Sequence, residues 1–404
     1  MTAARDPPRI SRRGSSWLED GMPASTTAEM PAVVGRDARV AINASVVGGN
    51  PTGLGIYSIK LVQALDRIRD DLVVYSSRPE AFDPITASIG PSPISGRPDY
   101  GLRGHFIRLL WLQSALRARM WAGGRRALLN TVPEGVLGLG IPQVTVVHDV
   151  TPLMFPPDYP RQQHYFRFFV SRVLRRSRLV VTDSEYTRHA VIERFRLPAV
   201  SVRVVYPGCD TDVFHANGSG PSGRDWQDVY FLYVGNLLPH KNVLRLLDAL
   251  AIVRRHHRCR LIVRGEGRPS YTAAVRERVE RLGLQDAVTF MGYTDAATLR
   301  QLYRRAACLV LPSLGEGFGL PVLEAMACGT PVITASTSAL PEVAGQAAVM
   351  VDPRDTGELT EAMVRVLDDK ALCEELRHKG LAQAATFTWR RTAEEISRAL
   401  DEVT

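Results

Sequence analysis

From residue 39 onward, short apolar runs alternate with longer stretches whose apolar residues recur every three or four positions. The runs RVAINAS, DLVVYSS, RALLNTV, PQVTVVHDV, SRLVVTDS and SVRVVYPG have the length and β-branched content of buried strands. Between the first two, PTGLGIYSIKLVQALDRI carries helical spacing. Strands this apolar, alternating with helices, predict a parallel sheet covered on both faces. The pattern stops at CDTDVFHANGSGPSGRDWQD, where Gly, Ser, Asn and Pro cluster. It then restarts through VYFLYVG, RLIVRG, VTFMGY, CLVLPS and TPVITAS, each followed by a helical stretch, and is helical throughout from about residue 355. The predicted fold class is α/β, with two doubly wound domains joined by a linker. The expected boundaries are 38–209 for the first domain, 210–227 for a linker, 228–385 for the second domain and 386–404 for a last helix. Residues 1–37 show no hydrophobic period and are expected to form a disordered tail, with Met22 and Met30 as later possible starts.

Length and composition agree with this division. A chain of 404 residues with 45% hydrophobic and 23% charged residues suits two soluble domains. No apolar run approaches the roughly 18 to 20 residues of a membrane span. The polar, basic N-terminus does not read as a signal peptide, so a cytoplasmic location is expected. The five cysteines are scattered without a CxxC pair, which points to neither a disulfide framework nor a zinc site. Charge is uneven: residues 101–200 hold 15 basic and 6 acidic side chains within a chain of net charge +8.

The chemistry concentrates in SLGEGFGLPVLEAMACGTPVI, residues 313–333. It follows a predicted strand as a glycine loop and then a helix, with Pro321 suited to the helix start and Gly329 to its stop. A helix start at the carboxyl end of a parallel strand offers free N–H groups and a favourable dipole to an anion. Glu324 is placed in the first turn, where complementing the dipole is worth about 0.3–1 kcal/mol. Glu316 has no such account, because it repels a phosphate unless it receives hydroxyl groups.

The segment EGFGLPVLEAMACGTPVI closely resembles the signature of retaining, nucleotide-sugar-dependent glycosyltransferases of GT-B type, family 4. The resemblance implies that Glu316 meets hydroxyls of the donor sugar. It places the diphosphate on the amides of Gly317, Phe318, Gly319 and Leu320, and the ribose on Glu324. In YVGNLLPHKN, Lys241 matches the family's diphosphate-binding lysine, while Asn236 stands where the family often has an arginine. Arg264, in LIVRGEG, either supplies the missing cation or is an ordinary loop residue. The form with Asn and HKN is similar to members that use GDP-mannose. VTFMGYTD resembles the segment framing the nucleotide base, from Met291 to Tyr293. SALPEVAGQAAVMVDPRD extends the likeness to Asp355 and reads as structural. In the first half, PTGLGIYS resembles the glycine loop that approaches donor phosphate and acceptor through Gly53 and Gly55. VTVVHDVTPL matches the HD element, which puts His148 at the donor sugar or its developing charge, with Asp149 orienting the ring. VVTDSEYTRHAVIERF offers Ser184 as the one pointer to the acceptor, whose contacts are otherwise unknown.

The resemblance therefore implies two doubly wound Rossmann-like domains facing across a cleft, the second binding the nucleotide sugar and the first the acceptor, with a last helix that returns to the first domain. The expected activity is hexosyl transfer, with mannose from GDP-mannose as the expected donor, to a glycan or lipid-linked glycan in polysaccharide or glycoconjugate biosynthesis. Catalysis is assigned to His148, Asp149, Lys241 and Glu316. No cofactor is expected beyond the donor as co-substrate. No metal is expected either: Asp210 to Asp212 form an Asp-x-Asp, but at the family's linker position. A UDP- or dTDP-sugar donor, a GT-B epimerase or phosphorylase, and a non-catalytic sugar-nucleotide binder are the alternatives. The arginine-rich stretches 103–126 and 161–178 suit either peripheral contact with an anionic inner-membrane face or a helix with a solvated arginine face. Nucleic acid is not an expected partner, since no recognised module accompanies the charge.

Overall fold

The computed structural model describes residues 39–49, 51, 53–217 and 229–404. The expected tail (1–37) and positions 218–227 of the expected linker lie outside the described residues. The first half contributes β1 (Val40–Asn43), β2 (Leu72–Ser76), β3 (Ser88–Pro91), β4 (Ala127–Asn130), β5 (Gln143–Val147), β6 (Leu179–Thr182) and β7 (Val202–Val204). These pair in the order β3-β2-β1-β4-β5-β6-β7, all parallel. The second half contributes β8 (Tyr230–Val234), β9 (Arg260–Arg264), β10 (Val288–Met291), β11 (Cys308–Leu311), β12 (Val332–Ala335) and β13 (Val349–Val351). Their order is β10-β9-β8-β11-β12-β13, again parallel throughout. This is the doubly wound α/β class predicted from the apolar runs.

Both sheets reverse their strand order once, between β1 and β4 and between β8 and β11. Crevices at the carboxyl ends of strands open at such reversals, and ligands bind there. The loops after β8 and β11 carry Lys241 and Glu316, so topology brings together residues 75 positions apart in sequence. Strand β3 had no clear signal in the sequence. It is a short edge strand, SIGP, whose terminal proline is tolerated because an edge needs fewer ladder bonds.

The chain crosses between the domains twice. The helix Trp389–Asp401 packs on the helix Gly53–Asp66, and its Ala393, Ile396, Ala399 and Leu400 join the apolar core of the first sheet. Arg69 Nη1 reaches Asp401 Oδ1 at 2.6 Å and Thr392 Oγ1 donates to the Tyr206 carbonyl at 2.8 Å. Where the two crossings meet, a Cβ on Gly208 would stand 2.1 Å from the Trp389 nitrogen. No side chain fits there.

Beneath the first sheet's carboxyl edge lies a buried ion pair. Arg108 grips Glu134 with two bonds, Nε to Oε2 at 2.7 Å and Nη2 to Oε1 at 2.9 Å. Burial alone would raise the Glu134 pKa, but the guanidinium outweighs it and holds the carboxyl down at about 2. Arg108 belongs to a helical stretch, Gly101–Trp111, that continues through a π-helical turn at Leu112–Leu116 into Arg117–Ala122.

Candidate active site

The loop after β8 ends in the short 3-10 turn Pro239–Lys241. Asn242 closes the turn in the left-handed region, at φ 63°. Its side-chain amide donates to the carbonyls of Pro312 at 2.9 Å and Pro353 at 2.6 Å. This ties the turn to the loop after β11 and aims Lys241 at Glu316, with Nζ 2.6 Å from Oε2. The other carboxylate oxygen, Oε1, accepts from Ser313 Oγ at 2.8 Å. Glu316 is therefore tolerated beside an anion site for a reason the sequence did not show: a lysine neutralises it.

Three residues further on, Gly319 takes φ 110° and turns the chain into the helix Leu320–Ala327. Among the described residues, the N–H groups of Gly317, Phe318 and Gly319 have no acceptor. Free amides at a helix start, next to a lysine, form an anion site of ordinary design. Glu324 is the fifth residue of this helix, not in its first turn, so the expected dipole role is corrected. It is half-buried, and its Oε2 accepts from Tyr303 Oη at 2.8 Å. Burial raises its pKa to about 7, against the lowering effect of the Tyr303 bond and the nearby Arg264 charge.

Arg264 ends β9. Its guanidinium bonds Thr294 through Nε at 3.2 Å and Nη2 at 3.0 Å, and lies 5.1 Å from the centre of the Tyr293 ring. Met291 ends β10 beside it. Glu324, Arg264, Met291 and Tyr293 thus gather at one end of the second sheet's crevice. Asn236 is exposed in the loop after β8, where its carbonyl accepts from Tyr233 Oη at 3.0 Å.

The first domain answers with His148, just beyond β5. Its Nδ1 meets Asp183 Oδ2 at 2.7 Å and its Nε2 meets the Thr131 carbonyl at 2.8 Å. Both partners are acceptors, so the geometry suits a ring protonated on both nitrogens. Burial opposes that charge; Asp183, the Thr131 carbonyl and Asp149 outweigh it and raise the His148 pKa above its ordinary 6.5. Asp149 is the residue the sequence points to for orienting this ring. The structure corrects this: Asp149 Oδ1 accepts from the Thr151 N–H at 2.8 Å and starts the next helical turn, while Asp183 orients the ring. Strand register carried the missed signal, since Val147 pairs with Thr182 and the next residue of each strand is His148 and Asp183. Tyr57 packs edge-on against the imidazole, with ring centres 4.4 Å apart.

Other first-half assignments also shift. Gly53 and Gly55 sit in the first turn of the helix Gly53–Asp66 rather than in a loop before it. Ser184 is corrected as an acceptor pointer. It is fully buried, accepts from the Thr187 N–H at 3.1 Å as a helix cap, and donates to the Gly317 carbonyl at 2.7 Å. Of the Asp-x-Asp, Asp210 is committed to Lys60 at 2.6 Å.

Ser184 belongs to a seam that presses the loop after β11 onto the first domain. Thr187 Oγ1 also donates to the Gly317 carbonyl, at 3.0 Å. A Cβ on Gly317 would lie 2.1 Å from the His148 carbonyl oxygen, so glycine alone allows this approach. Glu342 spans the same seam and accepts from the N–H groups of Glu185 and Tyr186, both at 2.7 Å. His240, the histidine of HKN, bonds Asp158 Oδ2 through Nδ1 at 2.8 Å and stacks on Phe155 at 5.0 Å. Asp149, Phe155, Tyr186, Gly315, Glu316 and Gly317 line the cleft that results.

Two doubly wound domains whose strand ends face one another across a cleft form the GT-B arrangement. The first domain matches the family described as Glycosyltransferase Family 4 over residues 51–213. The second matches Glycosyl transferases group 1 over residues 228–369. O-antigen chain mannosyltransferase B of Escherichia coli is 29% identical over 355 residues, covering 84% of this chain and 93% of the relative. O-antigen chain mannosyltransferase RfbU of Salmonella typhimurium is 29% identical over 321 residues, covering 78% of this chain and 87% of the relative. Among solved structures, Anabaena Alr3699/HepE in complex with UDP and glucose superimposes with a TM-score of 0.71 at 19% identity, over 90% of this chain and 99% of that one. The chain belongs to the family 4 glycosyltransferases and has their GT-B fold.

Proposed function

We propose that the chain transfers mannose from GDP-mannose, with retention at the anomeric carbon and without a metal ion, to a growing polysaccharide or a lipid-linked glycan. The observation that carries the reading is Glu316, held by Lys241 and Ser313 at the mouth of three free amides. Such a carboxylate is set to receive sugar hydroxyls while the lysine turns to a diphosphate beside it. Glu324 receives the ribose hydroxyls, and the Arg264–Tyr293 pair frames the base. The Asn and HKN of the lysine turn and the two O-antigen mannosyltransferase relatives support the choice of donor.

In this reading the bond from the anomeric carbon to the diphosphate oxygen breaks, and negative charge grows on the departing nucleotide. Lys241 and the amides of Gly317, Phe318, Gly319 and Leu320 stabilise that charge, the largest contribution assigned here. The departing phosphate oxygen takes the proton of the acceptor hydroxyl as it attacks the same face. His148, charged and fixed by Asp183, presents positive potential to the cleft without giving up a proton. Gly53 and Gly55 edge the first-domain side.

A panel of GDP-, UDP- and dTDP-sugars, scored by binding and by donor hydrolysis, tests the donor. GDP-mannose should rank first, and preference for a UDP- or dTDP-sugar would overturn that choice while leaving the glycosyltransferase assignment in place. E316A should abolish transfer and leave the unfolding transition in place. Turnover unchanged in that variant would remove Glu316 from the mechanism.

A further inference from the structure

The stretches 101–126 and 161–178 together contain twelve arginines and not one aspartate or glutamate. Arg108 and Arg125 are buried. The other ten are exposed, and among the described residues none has a carboxylate within ion-pair distance. Those with recorded bonds reach only backbone carbonyls, as Arg119 does to Pro91 and Arg172 to Phe168. The two stretches are neighbours in space: the His105 ring meets the Tyr165 ring edge-on at 4.7 Å, with Glu134 under both Arg108 and His105. They form one face.

A solvated arginine face needs no large apolar side chains, yet this one displays several. Leu102, Phe106 and Leu110 follow one another at four-residue spacing and are each more than half exposed. Phe168 is 57% exposed on the second stretch, and Trp121 is 89% exposed among the arginines. Uncompensated guanidinium groups around exposed aromatic and leucine side chains complement the headgroup region of an anionic bilayer, where apolar tips enter and charged heads stay with phosphates. Nucleic acid would use the arginines but leave Leu102, Phe106 and Leu110 without a role.

We infer that this face docks on a bilayer containing anionic phospholipid. The second stretch continues a segment that lines the cleft, where a Cβ on Gly315 would strike the Phe155 ring. Docking there holds a lipid-borne acceptor beside the donor loop. That last consequence rests on the proposed function; the docking itself does not.

Flotation of the full-length protein with vesicles of phosphatidylcholine, with and without phosphatidylglycerol, is the test. Binding should require phosphatidylglycerol and weaken with salt. The pairs F106S/W121S and R117Q/R119Q should each lower partitioning on the order of tenfold. Donor hydrolysis in solution should stay at the wild-type level in both, which reports folding separately. Failure to float with anionic vesicles, or wild-type binding by both pairs, would overturn the inference. Retention on double-stranded DNA without vesicle binding would also overturn it and reassign the face to a polyanion. Loss of docking with hydrolysis intact leaves the proposed function untouched, and the reverse result leaves the docking.

Discussion

Two glutamates eight positions apart on one loop and helix carry different electrostatics. Glu316 is neutralised by Lys241 at 2.6 Å, whereas Glu324 has a tyrosine hydroxyl and burial, and its pKa stands at about 7. In the proposed function ribose hydroxyls donate to Glu324 and favour the ionised carboxylate, so donor binding would release a proton wherever Glu324 is protonated beforehand. Donor KM should therefore rise as pH falls below about 7, and E324Q should raise KM and flatten that dependence. Initial-rate measurements over the range read both. At this scale the sequence conveyed residue types and order but not partners. It identified His148 and left Asp183 unnamed, because an adjacent aspartate in the chain, Asp149, looked like the simpler partner. Parallel pairing makes the adjacent strand the nearer neighbour. The same limit hid the role of Lys241 toward Glu316, which depends on two loops meeting.

Elements were easier to read where apolar content was continuous. The central strands of both sheets were legible from β-branched runs, since a strand buried on both faces has no polar alternation to blur it. Edge strand β3 was not, because SIGP has little apolar content. The helix Leu320–Ala327 starts one residue before Pro321, directly after left-handed Gly319, and this earlier start leaves Glu324 beyond the first turn. The helical stretch Gly101–Trp111 shows what an element can conceal: it anchors the exposed arginine face through one inward arginine. R108A leaves Glu134 buried without its partner and should cost about 3–5 kcal/mol, measured by urea unfolding. Because the folded Glu134 pKa is depressed to about 2, the pair's contribution is full above the unfolded value of 4.5. It should disappear as pH falls toward 2, and R108A should lack that acid-dependent loss.

Across the whole molecule, the cleft depends on contacts that no single domain contains. Ser184 and Thr187 hold the Gly317 carbonyl, Glu342 caps a helix of the other domain, and His240 docks on Asp158. Local sequence carries none of these pairings, which is why the site was legible as a set of residues and not as a seam. The final helix is the other feature that joins the halves, and it bears on how the chain is made. Ile396 and Leu400 belong to the core of the first domain, yet they are translated after the whole of the second. The first domain thus waits, with an unfilled apolar groove, until the second has been synthesised. A chain ending at residue 385 should give a first domain that is protease-sensitive and chaperone-bound, as read by limited proteolysis and pull-down, and the missing helix supplied as a separate peptide should restore protection. Biosynthesis then has a built-in checkpoint: the first domain closes only after translation has passed through the whole of the second.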